Sequence, residues 1–285
     1  MLAAGGNMAY ISEPLNVLHR PGVFGAEVKQ WYTYIHDANE DEYLSAFREL
    51  LDFNYHLGLE IRSLRSWKDF LRMGRDFRTF LLGRMSGHRV LLKDPFAVFS
   101  TSWFAKRLGC QVVITVRHPA AFASSLKRLG WPFDFKDILG QQALMNEHLE
   151  RDRIEMESIR ADDIVGQAGV LWRIIYRFCD MSRKLNPEFI LVRHEDLSLD
   201  PVSGYGALYN SLGIPFDEKS RNIILNSSSS ENPVELSRKN THSVQLDSRA
   251  NLDHWKKRLT PDEITRIREM TEDVSHLYYS DEDWV

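Results

Sequence analysis

The chain has 285 residues, 43% hydrophobic and 11% aromatic, with 36 basic against 40 acidic residues and a formal net charge of -4. That is enough apolar material for one large domain with a substantial core, and the charge balance gives no bulk attraction to nucleic acid or an anionic membrane, so any anion site must be local. No run approaches the ~20 apolar residues of a membrane span, and the opening MLAAGGNMAY lacks the basic region and long apolar stretch of a secretory signal.

Aromatic residues crowd the region from Trp31 to Phe80 and read mostly as helical core, with Trp67 and Phe70 three positions apart; some could wall an acceptor pocket. Three short apolar runs read as buried strands: Arg89 to Leu92, Cys110 to Val116 and Phe189 to Val192. They end in the polar clusters Lys-Asp-Pro, Arg-His-Pro and Arg-His-Glu-Asp-Leu. Between the second and third, apolar positions recur at three and four from Ile164 to Leu185, an amphipathic helix ended by Asn186-Pro187. Strands alternating with helices imply one α/β domain over residues 1–285, with a mainly parallel central sheet flanked by helices and the three polar clusters on one rim.

Asn226 to Asn240 is rich in serine, asparagine and charge and reads as a surface loop. Thr260-Pro261-Asp262-Glu263 has capping-box spacing with proline at the first helical position, followed by Ile264, Ile267, Met270, Val274 and Leu277 on one face of a terminal helix. Cys110 and Cys179 sit in strand and helix patterns and read as buried free thiols, in keeping with a reducing, cytoplasmic compartment.

The turn after the second strand carries the chemistry. Pro119 suits the first turn of a helix whose N–H groups face the strand end, Arg117 adds a planar fork suited to phosphate oxygens, and Ser125 lies eight residues on. This is a phosphate clamp, or else Arg117 pairs with an acid near Asp94 and the serines are incidental.

The run RHPAAFASS, with its arginine and a serine eight residues later, resembles the sulfotransferases that use 3'-phosphoadenosine 5'-phosphosulfate. RVLLKDP before it, ILVRHEDL with the later SLGIP, and NLDHWKKRLTPDEITRI are similar to family runs in the same order, so the likeness extends from about residue 10 to residue 279. It implies a P-loop NTPase-like sulfotransferase fold, a metal-free transfer of sulfate to a hydroxyl of a carbohydrate, lipid or other small-molecule acceptor, and a 3'-phosphate held by Arg117 and Ser125. No Cys/His spacing suits zinc, no partner nucleic acid is implied, and the oligomeric state is unreadable.

The family opens with a strand and a loop similar to Pro-Lys-Ser-Gly-Thr-Thr-Trp that cradles the 5'-phosphosulfate. Here MLAAGGNMAYISEPLNV reads instead as the end of the helix that follows that loop, so the expected fold lacks its first strand and the 5' site, through a misplaced start or a genuine loss. A non-catalytic nucleotide-binding protein keeping the fold is the alternative. Glu13 resembles the family's Glu-Pro base, with Pro14 expected to keep it extended, and His19 is a second candidate. Lys93 and Asp94 position the acceptor or form an ion pair. Arg193, Glu195 and Asp196 read as structural, whereas Arg238, Lys239 and above all Arg249 lie where the family places basic residues over the nucleotide.

Overall fold

The short apolar runs of the sequence become parallel strands in the computed structural model, which describes residues 1–234 and 245–285. They fall into two compact units, Leu2–Cys110 and Gln111–Val285, the second also holding Met1.

The first unit contains β1 (Met8–Ser12), α1 (Glu40–Leu51), α2 (Leu57–Ser63), α3 (Trp67–Ser86), β2 (Arg89–Lys93) and α4 (Thr101–Leu108). Ala9 and Ile11 are buried while Tyr10 and Ser12 are exposed, the two-residue period of a strand with one covered face. This corrects the reading of MLAAGGNMAYISEPLNV as a helix end: within it β1 pairs in parallel with β2, Met8 opposite Arg89 through Ser12 opposite Lys93. Ala9 and Ile11 belong to a core with Phe24, Phe47, Leu50 and Trp103. Glu60 of α2 is fully buried but not bare, accepting from Arg20 Nε at 2.6 Å and from the Gly22 amide at 2.9 Å.

Ser66 caps α3 by accepting from the Asp69 amide, and Gly87 ends it in the left-handed region. Of this helix only Phe80 and Gly83 are buried; Trp67 and Phe70, expected in the core, are 70% and 56% exposed. Their spacing is helical as read, but the face they mark looks outward.

The second unit contains β3 (Val113–Val116), α5 (Pro119–Leu129), α6 (Lys136–Leu139), α7 (Gln142–Leu144), α8 (Arg153–Ser158) and α9 (Ile164–Leu185). It continues with β4 (Ile190–Arg193), α10 (His194–Leu199), α11 (Pro201–Ser211), α12 (Glu218–Ser228), α13 (His254–Arg258) and α14 (Pro261–Ser275). β3 and β4 pair in parallel, Val113 opposite Ile190 through Val116 opposite Arg193. The strand expected from Cys110 starts later because the Cys110 amide closes the end of α4 on the Phe104 carbonyl. The parallel sheet read from the sequence is therefore two ladders of two strands each among the described residues.

α9 has the expected bounds, with Asp163 accepting from the Gly166 amide at its start. Asn226 to Ser228, read as loop, form the last turn of α12. Small residues decide how α5 packs: Ala120, Ala121 and Ala123 let its backbone come close to Val165, Ala168, Trp255 and Ile267. At α14 the expected capping box is formed, Glu263 donating its amide to Thr260 Oγ1 at 3.2 Å while Glu263 Oε2 accepts the Thr260 amide at 2.7 Å. Both cysteines are free thiols, Cys179 buried and Cys110 half-buried. Among the described residues no helix is long and apolar enough to cross a membrane.

Gly83 marks the closest approach of α3 to its own core, since a methyl there would collide with the ring of buried Phe53. Alanine favours helix over glycine by ~1 kcal/mol, while overpacking a buried ring costs ~1–3 kcal/mol. The steric cost should win, so Gly83→Ala is expected to lower stability by about 1 kcal/mol in urea unfolding. A gain in stability would show that the ring yields.

Candidate functional site

β3 delivers Arg117 and His118 to its carboxyl end, and Pro119 then opens α5, where its missing N–H costs nothing. Trp172 Nε1, from a fully buried residue of α9, donates to the Arg117 carbonyl at 2.7 Å and fixes the backbone of the turn. Nearly two turns into α5 the Ser125 hydroxyl returns toward the strand end, and Arg117 Nη1 donates to its Oγ at 3.1 Å. The two residues paired in the sequence by a spacing of eight are thus in contact.

Arg117 is half-buried, and loss of water lowers its pKa from the ordinary value; the charge of Glu195 opposes this, and that of Arg258 on α13 adds to it. Its hydrogen-bond partner is the neutral serine, not a carboxylate. Glu195 is engaged elsewhere: Oε1 accepts the His118 amide at 2.9 Å and Oε2 accepts the Tyr279 hydroxyl at 3.0 Å. Arg193 donates to Asp283 Oδ1 at 2.6 Å and lies over the Tyr279 ring, 4.7 Å from its centroid, with Asp196 3.8 Å away. Arg193 and Glu195 of the third polar cluster thus hold the strand end to the C-terminal segment.

Arg258 and His194 escaped the sequence reading. The β3–β4 pairing ends at Val116 opposite Arg193, so Arg117 and His194 are the first residues beyond it on each chain segment, and the charge of Arg117 reaches His194. Burial first, then the charge of Arg117, push the His194 imidazole down to about 4. The visible signal was an Arg-His dipeptide at the end of each strand. A guanidinium with a hydroxyl against it, a second guanidinium whose repulsion it feels and an imidazole whose proton it discourages suit an oxyanion, which would relieve all three at once.

Arg249 lies in the same unit, exposed, its Nε donating to the Leu199 carbonyl at 2.8 Å at the end of α10. Glu13 belongs to the first unit. Its φ of 53° is left-handed, not extended as Pro14 suggested, a conformation that costs a non-glycine residue ~1–3 kcal/mol. The Glu13 amide donates to the Lys93 carbonyl at 2.8 Å, Lys93 Nζ bonds Oε1, and Asn16 Nδ2 donates to Oε2 at 3.0 Å. Lys93 therefore pairs with Glu13 and not with Asp94. Asp94 accepts the amides of Leu15 at 2.6 Å and Phe96 at 2.9 Å, and burial pushes its carboxyl up to about 6. His19 anchors its own loop, Nδ1 lying 2.9 Å from the Asn16 carbonyl, with burial lowering its pKa. Arg238 and Lys239 lie outside the described residues. Among those described, no cluster of His, Cys, Asp and Glu is suited to a metal ion.

His118, the neighbour of Arg117, is 3% exposed and enclosed by aromatic rings: stacked on Trp255 at 5.0 Å and edge-on to Tyr279 at 4.9 Å and Trp284 at 4.4 Å. Neither ring nitrogen has a hydrogen-bond partner, and burial pushes the imidazole down to about 3. Between pH ~6.5 and ~3 the unfolded chain therefore holds a proton at this residue that the folded chain refuses. The associated stability is complete above pH ~6.5 and falls as the pH drops, by up to ~1.4 kcal/mol per unit. His118→Leu removes this dependence and leaves no polar atom wanting, so its unfolding free energy should fall less steeply between pH 6.5 and 5 than that of the parent. Parallel curves for the two proteins would refute the assignment.

A family model described as the sulfotransferase domain matches residues 90–279, from the second residue of β2 to Tyr279. No curated protein matches the chain. Among solved structures it is similar to a sulfotransferase domain from the curacin biosynthetic pathway, at 14% identity and a TM-score of 0.43 over 96% of this chain and 97% of that one. It is also similar to the sulfotransferase domain of the Synechococcus PCC 7002 olefin synthase, at 16% identity and a TM-score of 0.44 over 96% of this chain and 94% of that one. With well over half of its length matched by the family, and Arg117 and Ser125 within the match, the chain belongs to the sulfotransferase domain family and is a sulfotransferase.

Proposed function

We propose that the enzyme moves a sulfuryl group from 3'-phosphoadenosine 5'-phosphosulfate to a hydroxyl of a carbohydrate, lipid or other small-molecule acceptor. The observation that supports this donor is the Arg117–Ser125 hydrogen bond: a charged fork and a hydroxyl, joined across nearly two turns of α5 and left without a carboxylate partner of their own. When bound, the nucleotide supplies an activated sulfate whose departure leaves adenosine 3',5'-bisphosphate.

Arg117 and Ser125 hold the 3'-phosphate, the guanidinium by charge-assisted hydrogen bonds and the hydroxyl as a neutral donor. Trp172 keeps the Arg117 backbone from following its side chain toward the ligand. An anion on Arg117 offsets the charge that, after burial, holds down the pKa of His194, while burial keeps the imidazole neutral. Arg249 covers the nucleotide from the end of α10. Glu13 accepts the proton of the acceptor hydroxyl; Lys93 and Asn16 hold its two oxygens in place, and the left-handed backbone aims the carboxylate off the line of β1.

Titration calorimetry with adenosine 3',5'-bisphosphate tests the donor site. Arg117→Ala should weaken binding by roughly 10- to 100-fold, the ~1.5–3 kcal/mol of a charge-assisted contact. Equal affinity in the two proteins would remove Arg117 from the site. Transfer of labelled sulfate tests the base: Glu13→Gln should reduce turnover by ~10²-fold or more while bisphosphate affinity is kept. Full turnover in this variant would assign the proton to another group.

A further inference from the structure

We infer that α3 and the adjoining α2 form a docking surface for an anionic lipid bilayer. α3 is twenty residues long, about 30 Å, and turns only Phe80 and Gly83 into its core. Outward it presents large apolar side chains: Trp67 is 70% exposed, Phe70 56%, Leu71 53% and Met85 75%, with Leu81 and Leu82 between them. At 3.6 residues per turn these occupy, with Phe77, a continuous arc of about 140°. α2, immediately before, exposes Leu57, Leu59 and Ile61. Scattered exposed leucines need no explanation, but an arc of this width along one helix does.

The charge around the arc selects the partner. Between Leu57 and Arg89 there are eight basic residues, all exposed, and three acids, none of them exposed. Glu60 is buried against Arg20, Asp69 is bonded to Arg20, and Asp76 is paired with Arg75. Exposed charge here is therefore predominantly positive in a chain whose net charge is -4. On the helix circumference Arg84 borders one edge of the apolar arc, Lys68, Arg72 and Arg75 the other, and Arg78 sits within it.

A partner helix would be met by a narrow seam of two positions in seven, and a peptide by a groove. This face is neither: it is a single helix flank, and Trp67 and Met85, eighteen positions apart, point in the same direction, so the helix lies flat. Aromatic and long aliphatic residues on one side with arginine along both borders are the composition of a helix seated at a lipid headgroup boundary. Anionic headgroups answer the arginines, and the acyl boundary takes the rings. The inference is independent of the donor, acceptor and base proposed above.

The test is co-sedimentation of the full chain with vesicles of phosphatidylcholine alone and of phosphatidylcholine mixed equally with phosphatidylglycerol. Binding to the mixed vesicles should be at least roughly tenfold stronger and should weaken at high salt. Arg72→Glu with Arg75→Glu and Arg78→Glu should erase the preference for anionic vesicles, and Trp67→Ser with Phe70→Ser should weaken binding roughly tenfold. All five positions are exposed, and an unchanged thermal transition in each variant shows that the fold is retained. Equal partition into the two kinds of vesicle, no sedimentation of the parent, or unaltered binding by the variants would overturn the inference. So would a dimer in sedimentation velocity that the Trp67/Phe70 variant dissociates, in the absence of vesicle binding, since the face would then belong to a second copy of the chain.

Discussion

Glu195 joins segments that the sequence holds far apart. One oxygen takes the amide of His118, 77 residues earlier, and the other the hydroxyl of Tyr279, 84 residues later. Because both oxygens are engaged by these donors, the acid reaches Arg117 only through space, as a favourable charge. Had it closed on the guanidinium, Arg117 would be a completed ion pair with nothing to offer an incoming phosphate. The carboxylate thus does two things at once: it satisfies the start of α5, and it leaves the neighbouring cation with a neutral serine.

The same ladder sorts its two Arg-His dipeptides crosswise. Just past the last paired residues, and in addition to burial, the charge of Arg117 lowers the pKa of His194, and the charge of Arg193 lowers that of His118. One arginine is directed to the candidate anion site and the other to Asp283 and Tyr279. Each histidine is kept neutral, His118 by rings on three sides and His194 by burial beside a cation. Positive charge at this strand end is thereby confined to the arginines, whose state does not change with pH.

What the sequence made legible is what rests on local rules. The capping box of Thr260 and Glu263, the span of α9 between Asp163 and Asn186, and the convergence of Arg117 with Ser125 follow from spacing and from the geometry of one helix. What stayed hidden depends on contacts with remote chain. β1 is a weak signal in sequence, a five-residue alternation with Ala9 as one of its two buried members. Trp67 and Phe70 face outward although their spacing is that of a core helix, because spacing gives a helix its period but not the side on which its neighbours lie. Arg258 and His194 gain their meaning only from the β3–β4 register and from α13. Glu13 shows the limit in another way: it precedes the family match, and its left-handed backbone, held through the Lys93 carbonyl, cannot be read from Glu-Pro alone.

Both ladders are short and both close long stretches of chain. Glu13 meets Lys93 across 80 residues, and the end of β3 meets that of β4 across 77. Bringing such ends together costs several kilocalories of chain entropy before four or five residue pairs return anything, so neither ladder is a plausible place for folding to begin. The intervening helices must shorten the search first, with α9, whose Trp172 already carries the bond to the Arg117 carbonyl, as the template on which β3 waits. During synthesis β3 stays without its partner until some eighty further residues have left the ribosome, and through that interval its apolar edge is open to other chains. For β3 the length of that interval is set by the segment between the two Arg-His dipeptides, and for β1 by the comparable segment that separates it from β2.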